Sequence, residues 1–520
     1  MNTSRLAFLA LALASASAYA QVKFTPLPDF GFGGGAYRRN VAGTIVGCAV
    51  TDASFKLEPV VWSSETSVPS VLPTNGLGGF ATGLNANGLV VGQVFFMAGA
   101  GGDPAVWRDG QLELLPTLGE GGTATDVNDA GQVVGYVVQG GLNRAALWQD
   151  GALQVLDAPV IGNAGDKLES FANGINFLGE VSGYTRVSFG SDSLALKWQS
   201  GAATPSRLPE WLETKGLGVT DSSAVFVSGY FSPNGSQGLA LYNADGTAKV
   251  FTAPTDSFAV WGVAASSNGL ATGYYRAYGD EPAYPGILRA AVWADGVPQQ
   301  LELPSGYAWA LPVGVTPDGT VVGSISDGVS GRSVPGTWSL GIDYVMLTNT
   351  TAYVGQETTL TARAMNRKKP LAGRKIVFQL NGTKVGEAST DATGYARLRY
   401  TVPASMGTGS TVMASLGGGK YALAKFSVQK QLTEFAMSQA KNKQAGSSLV
   451  TTVLRNKVTR LPIAKAPVTV VIGGKAVSGV TDTQGRFVTT VKTPTAPTSV
   501  ELRFTGSSTH QSAVMRGVIR

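Results

Sequence analysis

Short apolar runs separated by Asn, Asp and Gly dominate the chain up to about residue 340. QVVGYVV, RAALW and ALQVL are each too short for a helix and end in a turn signal, which is the pattern of strands. One segment recurs: NVAGTIVG ending at Gly47, NANGLVVG at Gly92, NDAGQVVG at Gly135 and NFLGEVSG at Gly183. Weaker copies are DSSAVFVSG at Gly229, SSNGLATG at Gly273 and TPDGTVVG at Gly323. The glycines are spaced by 45, 43, 48, 46, 44 and 50 residues.

Two further landmarks keep step with the glycine. An aromatic residue follows it in every copy: Trp62, Trp107, Trp148, Trp198, Tyr242, Trp293 and Trp338. In WRDGQLELLP, WQDGALQVLD, WQSGAATPSRLP and WADGVPQQLELP an Asp-Gly or Ser-Gly turn then leads into a short strand. Asn-x-x-Gly and Asp-Gly suit tight hairpins because these residues tolerate positive φ. Each period therefore supplies four short strands, the content of a propeller blade, and one such unit cannot bury both its faces alone. The expectation for residues 21–341 is an all-β, seven-bladed β-propeller. VKFTPLP (22–28) matches the Leu-Pro strand of the other copies yet precedes the first of them, so the N-terminal strand is expected to complete the seventh blade and remove an open edge.

LPTLGEGGTATDVNDAGQVVGYVVQGGLNRAALWQDGALQVL, from Leu115 to Leu156, resembles the unit of the HAF-repeat family of bacterial extracellular proteins. The resemblance extends over residues 22–340. It implies export and repetition, and it carries over no catalytic residue. The tripeptide that names the family is absent: Arg144-Ala145-Ala146, Pro104-Ala105-Val106 and Arg289-Ala290-Ala291 stand in its place.

From about Ile342 the pattern becomes that of half-buried strands, in TAYVGQETTLTARAMN, KIVFQLNGTKVG and YARLRYTVP. A second module repeats the first at an offset of 91 to 92: Pro370 matches Pro462, Asp391 matches Asp482, Gly394 matches Gly485 and Pro403 matches Pro494. Two immunoglobulin-like β-sandwiches are expected, 342–430 and 431–520. TDATGYARLRY and TDTQGRFVTTV resemble the bacterial immunoglobulin-like modules of surface adhesins and invasin-type proteins. Asp391 and Asp482 lack the neighbouring acidic oxygens a calcium site needs and are read as turn residues.

Charge divides the chain in the same place. Residues 21–341 hold 15 Lys+Arg against 27 Asp+Glu, a net of −12; residues 342–520 hold 24 against 7, a net of +17. Arg367, Lys368, Lys369, Arg374 and Lys375 form a cluster suited to an anionic polymer, and equally to a plainly solvated face. Residues 1–20, MNTSRLAFLALALASASAYA, have the layout of a secretory signal peptide ending in a small-residue cleavage site. No later stretch is long and apolar enough to cross a membrane as a helix. With one cysteine, Cys48, and one histidine, His510, there is no internal disulfide and little material for a metal site or a nucleophile and imidazole pair. Cys48 is read as strand filling.

Function follows less directly. The longest loop, YYRAYGDEPAYPGILR, offers Tyr275, Tyr278, Asp280, Glu281 and Tyr284, and aromatic faces beside carboxylates suit carbohydrate. The expectation is an exported, monomeric binding or adhesion protein at the cell surface, outside the cell or in the periplasm. Its partner would be an extracellular glycan or an anionic surface polymer, not nucleic acid. No cofactor, metal or catalytic residue is expected. The alternative is a secreted propeller polysaccharide lyase or glycosidase using loop carboxylates such as Asp280 and Glu281.

Overall fold

The computed structural model describes residues 21–520 except 54, 97–100, 164, 189, 191, 208–210, 232–236, 252–256, 278–286, 367–368, 404, 407–408 and 419. Among the described residues there is no helix, and hence none long and apolar enough to cross a membrane. The chain divides near Tyr344 into two compact units.

Among its described residues the first unit holds seven antiparallel four-stranded sheets in a propeller-like arrangement. In sequence order their first strands are Gly34–Arg39, Gly79–Leu84, Gly122–Val127, Leu168–Ile175, Trp211–Val219, Ser257–Ala265 and Trp309–Val315. These strands contact one another in that order, and the last also contacts the first. The third sheet shows the plan, with Gly122–Val127, Val133–Gln139, Leu142–Gln149 and Ala152–Val155 paired as successive hairpins. The seventh sheet supplies only three strands from its own period. Its fourth is β1 (Phe24–Pro26), which pairs with Ser333–Ser339 in the register Phe24↔Trp338. Leu27 donates its backbone N–H to the Pro335 carbonyl, as Leu72, Leu115 and Leu156 do to Pro59, Pro104 and Ala145 in their own sheets.

The repeated residues each have a physical task. The third strand's tryptophans at 62, 107, 148, 198, 293 and 338 are at most 1% exposed. Five of these indoles are seen to donate to a carbonyl at the end of the preceding sheet's outer strand: Trp107 to Pro73 at 2.8 Å, Trp148 to Pro116 at 2.8 Å, Trp198 to Asp157 at 2.5 Å and Trp338 to Glu302 at 2.9 Å. Trp62 makes the same bond, 2.7 Å, to Pro28 just after β1. Each tryptophan thus fills the gap between two sheets and fastens one to the next. The fifth sheet, with Tyr242 at this position, buries Trp211 from its own first strand beside it.

The turn asparagines form a second circumferential series. Asn85 Oδ1 accepts the Asn87 and Leu89 N–H groups, closing its own turn, while Asn85 Nδ2 donates to the Asn128 carbonyl of the next sheet at 3.0 Å. Asn40, Asn128 and Asn176 donate in the same way to Asn85, Asn128's successor Asn176, and Thr220. The series returns to its start through a buried ion pair, Arg39 Nη1 to Asp318 Oδ2 at 2.5 Å.

The second unit contains four sheets. Thr350–Tyr353 and Thr383–Ser389 are at the edges of the five-stranded one, and Lys475–Val480 and Ala513–Ile519 at the edges of a four-stranded one. One apolar cluster, with Leu360, Ile376, Phe378 and Phe426 at its centre, serves residues 345–428; separate clusters around Val470, Leu502 and Phe504 serve the remainder. The 91-residue repetition has a local cause. Thr390 Oγ1 donates to the Leu371 carbonyl and Thr481 Oγ1 to the Ile463 carbonyl, while a side chain at Gly394 or Gly485 would meet the Ala364 or Leu454 carbonyl at 2.6 or 2.4 Å.

Candidate binding cavity

The recurring glycine of the second strand explains how the centre of the first unit is built. A Cβ on Gly135 would lie 2.0 Å from the Thr123 carbonyl oxygen of the adjacent first strand, and on Gly47, Gly92, Gly183, Gly273 and Gly323 it would meet the matching oxygen at 1.9 to 2.1 Å. The close approach accompanies a β-bulge, where two residues of the first strand face one of the second and the strand bends. Register shifts between Ala36 and Arg38, Ala81 and Gly83, Ala124 and Asp126, Ala172 and Gly174, Gly216 and Gly218, Gly262 and Ala264, and Pro312 and Gly314 leave one extra residue in every sheet.

Those seven extra residues are Tyr37, Thr82, Thr125, Asn173, Leu217, Val263 and Val313, and all seven line one cavity of about 450 Å³, together with Arg38, Phe80 and Ala264. The wall is divided by sheet. Sheets two to four contribute Thr82, Thr125 and Asn173; sheets five to seven contribute Leu217, Val263 and Val313. On the polar side both threonine hydroxyls and one of the two Asn173 amide N–H groups are already engaged. Thr82 Oγ1 donates toward the Ala124 carbonyl at 2.6 Å, Thr125 Oγ1 toward the Ala172 carbonyl at 2.7 Å, and Asn173 Nδ2 to the Gly216 carbonyl at 2.7 Å. Lone pairs on Thr82, Thr125 and the Asn173 amide oxygen remain as acceptors.

The residue after each bulge is Gly or Ala in five sheets and charged in two, Arg38 and Asp126. Arg38 Nη2 reaches Asp126 Oδ1 at 3.2 Å, and Asp126 Oδ2 accepts the Ile175 N–H. Arg38 Nε is buried and has no hydrogen-bond partner. Two residues before each bulge lies a further tier, Phe80, Thr123, Phe171, Lys215, Trp261 and Leu311 among them. Here Phe171 stacks on Tyr184 at 4.9 Å, Tyr136 meets Phe171 edge-on, and cations sit over the rings: Arg186 over Phe171 at 5.0 Å, Lys215 over Tyr184 at 5.5 Å and Arg276 over Trp261 at 5.5 Å. Arg186 is also paired with Glu169 at 2.8 Å, whereas among the described residues no carboxylate pairs with Lys215.

Of the residues singled out from sequence, those described do not line this cavity. Tyr275 is 5% exposed and belongs to the apolar cluster of Phe226, Leu239, Val260 and Trp293, with its hydroxyl 3.2 Å from Gln300 Oε1. The expectation had its ring at a loop surface; the strand Ala271–Ala277 continues through it, and alternation turns it inward. Tyr278, Asp280, Glu281 and Tyr284 lie outside the described residues, as do Arg367 and Lys368. Lys369, Arg374 and Lys375 are exposed, and Lys375 pairs with Glu387 at 2.6 Å. In the second unit three carboxylates each hold two cations: Glu387 with Lys375 and Lys384, Glu434 with Arg455 and Arg460, and Glu501 with Arg503 and Arg516. These bonds hold each carboxylate below its usual range. Asp391 and Asp482 fold their own turns, Asp391 Oδ1 accepting from Thr393 and Tyr395 and Asp482 Oδ1 from Gln484 and Arg486.

Cys48 is buried and its Sγ lies 3.0 Å from Tyr37 Oη, behind the cavity wall. Burial raises both groups, the Tyr37 hydroxyl far above its ordinary value, and the hydrogen bond between them only partly offsets the rise at the Cys48 thiol. Among the described residues no group of three His, Cys, Asp or Glu could hold a metal ion.

The fold and the cavity define an all-β, propeller-like protein with one lined opening at the convergence of its sheets. No family model and no curated protein matches the chain. Solved structures with partial likeness include TolB from Acinetobacter baumannii (12% identity, 57% of this chain and 64% of that one, TM-score 0.31) and a streptogramin B lyase (13%, 50% and 93%, 0.30). Another is the adhesin InvE of Yersinia pseudotuberculosis (13%, 34% and 58%, 0.19). At such scores these likenesses carry no argument about what this chain binds.

Proposed function

We propose that this chain is an exported binding protein of the cell surface, the extracellular space or the periplasm. In this reading residues 21–341 form a seven-bladed β-propeller of HAF-like repeats completed by the N-terminal strand, and 342–430 and 431–520 are immunoglobulin-like sandwiches. The ring recognises a carbohydrate or other anionic surface polymer, and the basic modules hold it near such a surface. One observation supports recognition above all. The scaffold positions are nearly uniform from sheet to sheet, while the seven cavity-lining bulge positions carry Tyr, Thr, Thr, Asn, Leu, Val and Val. A cavity wall that differs from sheet to sheet is an asymmetric surface, as a binding site requires. Among the described residues the lining includes no pair of carboxylates such as glycoside hydrolysis uses, and this supports binding over the lyase or glycosidase alternative.

The test is a glycan array probed with purified residues 21–520, followed by incubation of each retained glycan with the protein and analysis for new reducing or unsaturated ends. Retention with no cleavage is expected. An array with no retained glycan, or cleavage of the retained one, overturns the proposal.

A further inference from the structure

We infer that the central cavity is a site for the terminal sugar residue of an acidic glycan. This rests on the binding role proposed above and names the site and ligand class within it. The two-sided wall matches the two-sided nature of a pyranose, whose hydroxyls point outward at its edge while its C–H face is apolar. Leu217, Val263, Ala264 and Val313 offer the apolar side. Thr82 and Thr125 have spent their donors, and Asn173 one of its two, on the neighbouring sheet's carbonyls, and all three keep acceptors. Sugar hydroxyls are donors, so the polarity is complementary. A cavity of about 450 Å³ admits one such ring and not a folded peptide.

The acidic group follows from Arg38. It lines the cavity, and a guanidinium can hold a carboxylate through paired N–H bonds. Asp126 holds the other end of the guanidinium, fixing its orientation as a carboxylate orients a positioned base or cation. The tier two residues before the bulges carries the same sign. Within a unit whose sequence is net acidic, Arg186, Lys215 and Arg276 are gathered in adjacent sheets on aromatic supports. A ring face positions Lys215 without cancelling its charge. Polyphosphate chains are disfavoured by the surrounding carboxylates, whereas one carboxylate on a neutral sugar scaffold meets only the local cations.

The experiment is isothermal titration of the full chain, residues 21–520, with trigalacturonate and with neutral galactotriose. The wild-type protein is expected to bind the uronide at least tenfold more tightly. Arg38→Gln is expected to weaken uronide binding at least tenfold and so remove that preference. Val263→Phe narrows the cavity without touching a hydrogen bond and is expected to abolish both. Near-ultraviolet circular dichroism checks that each variant is folded. Equal affinity of the wild-type protein for the two sugars, or uronide binding that survives Val263→Phe, overturns the inference. The same results with glycans still retained on the array would leave the binding role standing, so the two failures are told apart.

Discussion

Trp62→Phe tests how firmly the N-terminal segment is locked to the rest of the first unit. The substitution keeps an aromatic ring but deletes the indole N–H that reaches the Pro28 carbonyl at 2.7 Å, in a site fully shielded from solvent and packed by Leu27, Ile45 and Val60. An orphaned buried carbonyl costs about 1–3 kcal/mol, and the void left by the smaller ring adds about 1 kcal/mol. A total of about 2–4 kcal/mol corresponds to a fall of roughly 1 M in urea midpoint at a slope of about 2–3 kcal/mol/M. All nine tryptophans lie between Trp62 and Trp338, so intrinsic fluorescence reports this unit alone. Trp148→Phe, whose partner Pro116 sits in an interior sheet, is the reference. Equal losses are expected. If Trp148→Phe loses about 2–4 kcal/mol while Trp62→Phe stays within about 0.5 kcal/mol of wild type, the segment is not held as described and the reasoning fails.

Gly135→Ala places a methyl carbon 2.0 Å from the Thr123 carbonyl and is expected to cost about 3 kcal/mol or more or to prevent soluble expression. Gly229→Ala meets side-chain atoms of Thr214 and Trp211 at 2.9 Å and should be milder; thermal melts of the pair give the order. Because burial raises the Cys48 thiol, it should stay unmodified by a disulfide reagent at pH 8.5, where a free thiol is about half ionised, and react only after denaturation. Rapid native labelling would show that the strand opens.

The periodic features were legible because each solves the same local problem in every sheet. Gly135 could be found by its recurrence, and so could Trp148 and Asn128; their tasks, admitting a bulge, bridging sheets and relaying hydrogen bonds, needed the register. The cavity was written in the sequence too. Each bulge residue stands three places before the turn residue, Thr82 before Asn85 and Val263 before Ser266, yet a position that varies hides from a search for repetition. Tyr275 was misplaced for a different reason. Loop length drew attention to it, but one step of strand alternation separates Tyr274 from Tyr275 and decides which of the two is enclosed by Phe226 and Trp293. The charge contrast showed that the second unit is basic, but not that Glu387, Glu434 and Glu501 each restrain two cations.

The pairing of Phe24 with Trp338 also bears on how the protein is made. A growing polypeptide emits β1 first and must wait for Ser333–Ser339 before that ribbon finds its mate, so the last gap cannot shut until that later strand has been made. Until then the unfinished assembly presents two raw borders, each able to recruit a stranger's strand. Its biogenesis thus has a vulnerable interval set by topology, during which a holding chaperone would matter more than at any later time.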